Sequence, residues 1–383
     1  MNRSAIPLGR ILGIPIGLDY SWFLIFGLLT WSLATSYYPA EFKNWPVAQY
    51  WIVGAVTTIL MFVSVLLHEL GHSMVAMRYK IPVRSITLFI FGGVAQIGVE
   101  PPSAIAEFWI AIAGPVTSFA LALFFGLLQP IVGALAPVLA LAKYLAYING
   151  TLALFNLIPG FPLDGGRVFR AMVWGSTHSL RRATLVAANL GRFIAYLFII
   201  LGVWQMVTGN FGNGLWIAFI GWFLESAAAS QVRQQTIQDW LAGHRVSDVM
   251  RRDYTAVSPD STLEQLVNEH ILGSGQRSLV VEQNDRVVGL LTLHDVKKIL
   301  RSDWPTTTAA QAMIPAEQMK RIRPNAELVA ALGEMDRDGV NQLPVMVDDQ
   351  IQGVLGRDDV IGLLRTLGEQ DGFPFHATLP IGS

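Results

Sequence analysis

Long uninterrupted runs of apolar residues dominate the first 230 positions of the chain. An α-helix needs about 20 apolar residues to cross the hydrocarbon core of a bilayer. The pattern therefore predicts six membrane-spanning helices, at residues 20–38, 50–78, 104–128, 138–158, 183–207 and 213–230. Residues 1–20 are too polar and too interrupted by Pro and Gly for a cleaved signal peptide, so we expect a short lead-in to the first span.

A run rich in β-branched and aromatic residues lies between the second and third spans. Residues 85–99, SITLFIFGGVAQIGV, are too short to span as a helix and are interrupted by Gly92 and Gly93, which predicts strand, turn, strand. An open sheet edge cannot face lipid, because its backbone groups find no hydrogen-bond partners there. We therefore expect a membrane-associated β-hairpin that packs on protein or lines a wet cavity.

The pattern changes after residue 231, where an internal repeat begins. Residues 278–296 align with 342–360 at an offset of 64 positions, with seven identities. Each copy predicts a helix followed by two strands and another helix, and two such half-domains should bury each other's apolar faces. The predicted fold class is therefore an α-helical polytopic membrane domain followed by a soluble α/β tandem pair.

Charge is spread unevenly and supports this division. Residues 1–230 carry 12 Lys and Arg and 7 Asp and Glu, whereas the remaining 153 residues carry 15 and 21. The predicted division is a membrane domain, a linker, two repeat domains and a tail, at 1–230, 231–244, 245–302, 308–366 and 367–383.

Composition also excludes several classes of protein. The chain is 52% hydrophobic and 14% charged, too apolar for an ordinary soluble protein of 383 residues. Its net charge of −1 and the lack of a basic stripe argue against a nucleic-acid partner. Because there is no cysteine, disulfides and thiolate metal sites are excluded.

The positions of Arg and Lys predict the orientation in the membrane. Basic residues cluster at alternate ends of the spans, while the loops at 39–48, 129–137 and 208–212 contain only Lys43. Positive residues favour the cytoplasmic side. We therefore expect a multi-pass protein of the cell membrane, with both termini and the repeat pair in the cytoplasm.

The motif HELGH, residues 68–72, places ionisable groups at the cytoplasmic end of the second span. Positions i and i+4 of a helix point the same way, so His68 and His72 can reach one metal ion. This spacing is typical of metalloproteases that bind zinc through two imidazoles and keep a glutamate, here Glu69, as general base. Charged residues inside a span are costly and usually functional.

A catalytic zinc site needs a third protein ligand. Asp164 is the best candidate, because NLIPGFPLDGGR (156–167) breaks the fourth span with Pro and Gly near the same membrane level. Two structural alternatives stay open. Glu69 can pair with Arg78 while the histidines cap the helix, and Gly114–Pro115 can be a simple kink that lets helices pack closely.

HELGH, FGGVAQI, IAGP and NLIPGFPLDGGR follow one another in the order and spacing of the site-2 protease family, which the chain resembles over residues 1–230. The resemblance implies an intramembrane zinc endopeptidase with one Zn²⁺ held by His68, His72 and Asp164. It also implies that Glu69 is the general base and that Asn156 orients the substrate or stabilises the oxyanion. The hairpin around Gly92 and Gly93 would offer a strand edge to a transmembrane protein substrate.

The C-terminal pair resembles tandem CBS domains over residues 245–366, which implies an adenine nucleotide as ligand. Residues Gly289, Thr292 and Asp295 fit that family's ribose-binding pattern in the first copy. The second copy keeps Asp359 but has Gly356 where the hydroxyl belongs. A homodimer formed through these domains, with no nucleotide bound, is the alternative.

Two further hypotheses compete with that of a regulated protease. CBS pairs also accompany transporters and channels, whose spans should show paired charges or repeated broken helices. A catalytically dead binding protein on the same fold is disfavoured by the intact Glu69.

Overall fold

The computed structural model describes residues 5–90, 92–97, 100–284, 286–348 and 350–370. The chain divides into two compact units, Met1–Gln235 (the membrane unit) and Thr236–Ser383 (the repeat unit). Most of the predicted tail at 367–383 lies outside the described residues. The predicted domain boundaries stay predictions.

Eight α-helices that begin in the membrane unit are described. They are α1 Ser21–Ser32, α2 Tyr38–Glu41, α3 Val47–Arg78, α4 Ala104–Leu128, α5 Ala136–Asn156, α6 Asp164–Thr177, α7 Leu180–Val207 and α8 Phe211–Leu241. Five of these, α3, α4, α5, α7 and α8, are long and apolar enough to cross a membrane among the described residues. The structure therefore has the predicted helical, multi-span architecture.

The first predicted span differs from the other five. Its helix α1 continues through a π-helical section at Leu33–Tyr37 into the short α2, so no single α-helix there reaches spanning length. Pro39 lacks the N–H that would bond to the carbonyl of Thr35, and this missing hydrogen bond favours the change in helical pitch. Helix α8 continues to Leu241, so most of the predicted linker is helical.

One four-stranded sheet belongs to the membrane unit, with strands in the order β1, β2, β3, β4. Their bounds are β1 Ala5–Ile11, β2 Ile14–Asp19, β3 Val83–Phe89 and β4 Gly92–Ile97. Strands β3 and β4 form the predicted hairpin, and β2 pairs with β3 in parallel. Strand β4 is therefore an edge strand of this sheet.

Two sequence expectations about this sheet are wrong. The N-terminal segment is not a plain lead-in but the hairpin β1–β2, whose Ile14 and Ile16 pack with Leu70 and Ile86. In addition, Gly92 and Gly93 do not form the turn. They begin β4 and pair with Phe89 and Leu88.

The repeat unit contains two α/β halves. Its helices are α9 Val246–Val249, α10 Leu263–Leu266, α11 Leu293–Val296, α12 Ala309–Ala312, α13 Leu328–Asp338 and α14 Arg357–Gln370. Its strands are β5 Ala256–Val257, β6 Ser278–Gln283, β7 Arg286–Thr292, β8 Ile314–Pro315, β9 Gln342–Val347 and β10 Gln350–Gly356.

The two copies of the repeat pack against each other as expected. Hairpins β6–β7 and β9–β10 are the aligned parts of the two copies. Val280 and Leu290 of the first copy share one buried cluster with Met346 and Val354 of the second. Each copy leaves an apolar face that the other covers, which is the physical reason for their pairing.

Candidate active site

Helix α3 presents two histidines on one face, as their spacing requires. His68 and His72 are both buried, and their Nε2 atoms lie 3.2 Å apart. The ring planes are inclined by 80°. Both Nε2 atoms therefore face one point inside the membrane unit.

Asp164 reaches the same point from a different helix. It is the first residue of α6, and its Oδ2 lies 3.0 Å from Nε2 of His68 and 3.2 Å from Nε2 of His72. The connection from α5 folds tightly against the first turn of α6. A Cβ at Gly165 or Gly166 would overlap the backbone of Leu157 or Gly160. Gly165 and Gly166 thus allow the chain to bring the Asp164 carboxylate close to the two histidines of α3.

The outer nitrogens of the two rings have partners on α4. Nδ1 of His72 lies 2.7 Å from the carbonyl oxygen of Ile110, and Nδ1 of His68 lies 2.8 Å from Oγ of Ser118. A carbonyl only accepts, so Nδ1 of His72 donates, and in the neutral ring its Nε2 is then the nitrogen that can bind a metal. Such partners orient metal-binding histidines.

The donor set fits a zinc ion. The three inner ligand atoms lie 3.0–3.2 Å from one another. A tetrahedral ion with bonds of about 2.0–2.1 Å requires ligand separations of about 3.3 Å. Two imidazole nitrogens and one carboxylate oxygen are ligands that zinc accepts. Among the described residues, this is the group of three His or carboxylate side chains close enough to hold a metal.

Gly114 on α4 lies directly over the two Nε2 atoms. A Cβ there would overlap Nε2 of His72 and lie 2.6 Å from Nε2 of His68. The IAGPVTS segment is therefore part of the site, because it supplies both the open space at Gly114 and the hydroxyl of Ser118. The interpretation of Gly114–Pro115 as a simple kink misses this role, although the motif itself was visible in the sequence.

Glu69 lies beside the three predicted ligands and against β4. A Cβ at Gly93 would lie 2.6 Å from Cγ of Glu69, so only glycine permits this close approach. Among the described residues, Glu69 forms no ion pair with Arg78. The alternative in which that pair explains the motif has no support.

The two asparagines of α5, Asn149 and Asn156, differ in their position and contacts. Nδ2 of the buried Asn149 donates to Oγ of Ser64 at 3.2 Å and to the carbonyl oxygen of Leu145 at 2.8 Å, so it links two helices. Asn156 is the last residue of α5, half-buried, and lies immediately before the connection to Asp164. Its predicted role toward substrate stays a prediction.

The first copy of the repeat contributes to a cleft of about 410 Å³, which Thr292, Asp295 and Lys298 help to line. Oγ1 of Thr292 donates to Oδ2 of Asp295 at 2.5 Å, and Nζ of Lys298 donates to Oδ1 at 2.9 Å. The volume suits a small-molecule ligand. The predicted residues therefore meet in one cleft, where each already has an internal partner.

The second copy contributes to a cleft of about 350 Å³ with Asp359 and Gly356 in its wall. Nε of Arg251 donates to Oδ1 of Asp359 at 2.6 Å, and the N–H of Gly356 donates to Oδ2 at 2.8 Å. Asp359 is thus engaged by an arginine, whereas Asp295 is engaged by a lysine. Another arginine in this wall, Arg277, pairs with Asp358.

Comparison with known proteins agrees with this geometry. Residues 56–136 and 131–200 match peptidase family M50, and residues 246–302 and 310–366 match the CBS domain. Rip3 of Mycobacterium tuberculosis, a protein named as a candidate zinc metalloprotease, is 36% identical over 99% of this chain and 97% of its own length. The chain belongs to peptidase family M50. It is a multi-pass membrane zinc metalloprotease of the site-2 protease type with tandem CBS domains.

Further relatives of this M50 protease are found in distant organisms. A candidate zinc metalloprotease of Synechocystis, sll0528, is 34% identical over 96% of this chain and 97% of its own length. Among solved structures, the site-2 protease from Methanocaldococcus jannaschii is 30% identical, covering 60% of this chain and 95% of its own, with a TM-score of 0.43.

Proposed function

We propose that this M50 protease hydrolyses peptide bonds in or next to transmembrane segments, with one zinc ion held by His68, His72 and Asp164. The observation that carries the proposal is the convergence of three ligand atoms within 3.2 Å at the end of a helix long enough to span the membrane. When bound there, zinc supplies a Lewis acid that polarises the scissile carbonyl and strengthens water as a nucleophile.

In this proposal Glu69 is the general base. Its carboxylate accepts a proton from the attacking water while the water oxygen bonds to the carbonyl carbon. The same proton then passes to the departing amine nitrogen as the C–N bond breaks. The position of Glu69 one residue after His68 keeps it beside the ligands without making it one.

Strand β4 is the proposed docking edge for the substrate. A helical substrate hides its carbonyls in internal hydrogen bonds, so hydrolysis requires local unwinding. Adding the unwound segment to an edge strand satisfies its backbone groups. Gly92 and Gly93 begin that strand, and Gly93 contacts Glu69, so a segment added there lies close to the base. Asn156 is proposed to orient the substrate or stabilise its oxyanion.

The repeat unit is proposed to bind an adenine nucleotide in the cytoplasm and to modulate proteolysis. Thr292 and Asp295 in the first cleft, and Asp359 in the second, are the proposed contacts. A homodimer formed through the CBS domains is a further proposal. So is a cytoplasmic location of both termini, which the distribution of basic residues supports.

Replacing Glu69 by Gln tests the assignment of the base. We expect Glu69→Gln to keep about one equivalent of zinc and to lose proteolysis, because the amide leaves the ligands in place but accepts no proton. Zinc is measured in the purified full-length protein by elemental analysis. The substrate is a protein captured on Glu69→Gln, identified by mass spectrometry and then cleaved by the parent.

Asp164→Ala is the matched variant for the ligand role, and we expect it to lose both zinc and cleavage. Substantial cleavage by Glu69→Gln would refute the mechanism. A parent protein that binds no zinc would refute the proposed metal centre itself.

A further inference from the structure

A buried arginine outside the ligand cluster contacts several of the segments that form it. Arg170 lies on α6, six residues after Asp164, and is 5% exposed. Its Nε donates to Oε1 of Glu107 at 2.6 Å, and its Nη2 donates to Oε2 of Glu100 at 3.3 Å. The guanidinium also lies over the ring of Phe161, 5.3 Å from its centroid.

Each of these contacts leads to a part of the site. Glu107 lies on α4, one turn before the carbonyl of Ile110 that accepts from His72. Glu100 lies between the edge strand β4 and α4. Phe161 lies in the connection that ends at Asp164, and it is buried. Arg170 therefore links the helix that supplies the third ligand to the helix that orients a histidine.

We propose that Arg170 is a positioning residue for the metal centre, holding Asp164 of α6 at the correct distance from the α3 histidines through its contacts with Glu107, Glu100 and Phe161. This inference rests on the proposed zinc site. It assigns a function to a charged cluster that the reaction itself does not use.

The chemistry of the cluster requires an arginine. A guanidinium is a planar fork that binds two carboxylates and stacks on an aromatic ring at once, whereas an ammonium is a single point of charge. Glu107 is fully buried, and its Oε2 has no hydrogen-bond partner among the described residues. Removing Arg170 would leave that buried carboxylate without its hydrogen-bond donor, which favours a shift of α4 relative to α6.

The membrane unit offers a matched control. Arg192 of α7 donates through Nε to Oε1 of Glu225 on α8, which is also an arginine–glutamate pair between two helices. Among the described contacts, this pair reaches none of the three ligands. Arg192→Gln therefore measures the effect of losing a more exposed arginine–glutamate pair between helices, without the proposed link to the metal centre.

The experiment compares Arg170→Gln, Arg170→Lys and Arg192→Gln with the parent, all as full-length protein in detergent. Zinc affinity is measured by competition with a chelator, thermal unfolding gives the fold control, and Co²⁺ replaces zinc to report ligand geometry by visible absorption. We expect Arg170→Gln to lower zinc affinity about 10- to 100-fold and to alter the Co²⁺ spectrum, as is usual for partners behind the ligands. Arg170→Lys should give a smaller loss, and Arg192→Gln should leave both readouts as in the parent.

Three results would overturn the inference. One is a folded Arg170→Gln with parental affinity and spectrum. Another is an Arg170→Gln that does not fold, together with a folded Arg170→Lys whose affinity and spectrum match the parent, because Arg170 would then have a structural role only. An equal loss in Arg192→Gln would count against it in the same way. If the parent bound no zinc, the proposed zinc site itself would be refuted. That result is distinct from the results that refute only the positioning role of Arg170.

Discussion

At the residue scale, the absence of a side chain at Gly114 leaves room for the proposed ligands His68, His72 and Asp164. Gly114 allows helix α4 to pass directly over the Nε2 atoms of His68 and His72, where a Cβ would overlap one of them. The backbone carbonyl of Ile110 and the hydroxyl of Ser118, on either side of this glycine, fix the outer nitrogens of the same rings. One helix therefore both orients the histidines and clears the space between them.

We predict that Gly114→Ala lowers zinc affinity by about tenfold or more while the protein still folds. The added methyl group displaces the ligand nitrogens, and displaced ligands bind more weakly. Alanine otherwise favours a helix over glycine by about 1 kcal/mol, so helix propensity does not explain a loss. Zinc titration of the purified variant is the measurement.

Gly126→Ala is the control, because it lies on the same helix and a Cβ there meets no atom within 4 Å. It should bind zinc as the parent does. Parental zinc binding by Gly114→Ala would contradict the assigned role.

At the element scale, strand β4 is packed on the helix that carries the proposed base. Gly93 contacts Cγ of Glu69. A Cβ added at Gly93 would also lie 3.3 Å from Cγ1 of Val65, one helical turn before Glu69. The edge proposed to receive the substrate and the side chain proposed to take the proton are thus in direct contact. The position of β4 therefore sets the position of Glu69.

We predict that Gly93→Ala keeps zinc near the parental amount and lowers cleavage by about 100-fold. The added Cβ moves Glu69 but not the three ligands, and a displacement of about 1 Å in a catalytic group has an effect of this size. The rate is measured on the substrate captured by Glu69→Gln.

Gly27→Ala on α1, where a Cβ meets no atom within 4 Å, is the matched control and should cleave normally. If Gly93→Ala lost zinc as well, the strand would support the ligands rather than the base.

At the scale of the whole molecule, the orientation of the spans decides which compartment the repeat unit occupies. The chain has no cysteine, so single cysteines report accessibility without background. We predict that a thiol reagent added to sealed cells labels Ala134→Cys, in the exposed segment between α4 and α5, but not Ser302→Cys in the repeat unit. Both should label once the membrane is permeabilised. Labelling of Ser302→Cys in sealed cells would indicate the opposite orientation of the protein in the membrane.

Regulation of cleavage by nucleotide binding to the repeat unit also concerns the whole molecule. We predict that AMP, ADP or ATP binds the full-length protein mainly through the first cleft, and that Asp295→Ala weakens this binding by about tenfold or more, the magnitude of one lost charged hydrogen bond. Calorimetry measures affinity. Cleavage rates with and without nucleotide measure modulation, which requires the nucleotide to favour one state of the protein over another.

Asp260→Ala replaces an exposed carboxylate that lines neither cleft, so it should bind as the parent does. Absence of heat with all three nucleotides, or unchanged binding by Asp295→Ala, would favour a dimerisation module instead.

Much of this protein follows from local sequence. Apolar runs of spanning length, the i and i+4 spacing of His68 and His72, and the repeat with an offset of 64 residues each describe one helix or one supersecondary unit. Such patterns are readable because the geometry of a helix or hairpin is fixed within a few residues. The sequence also indicates Asp164 as a candidate ligand, because a carboxylate is rare in a broken span and stands out among apolar neighbours.

Only the tertiary structure brought together the parts that lie far apart in the chain. Ser118 is 50 residues from His68, and Arg170 is 63 residues from Glu107, so no local periodicity relates them. The local pattern does not predict the N-terminal hairpin or the place of Gly92 and Gly93 in β4 for the same reason. Their conformations are set by the strands and the helix against which they pack. Local spacing determines which face of an element a residue occupies, whereas helix packing decides which faces meet.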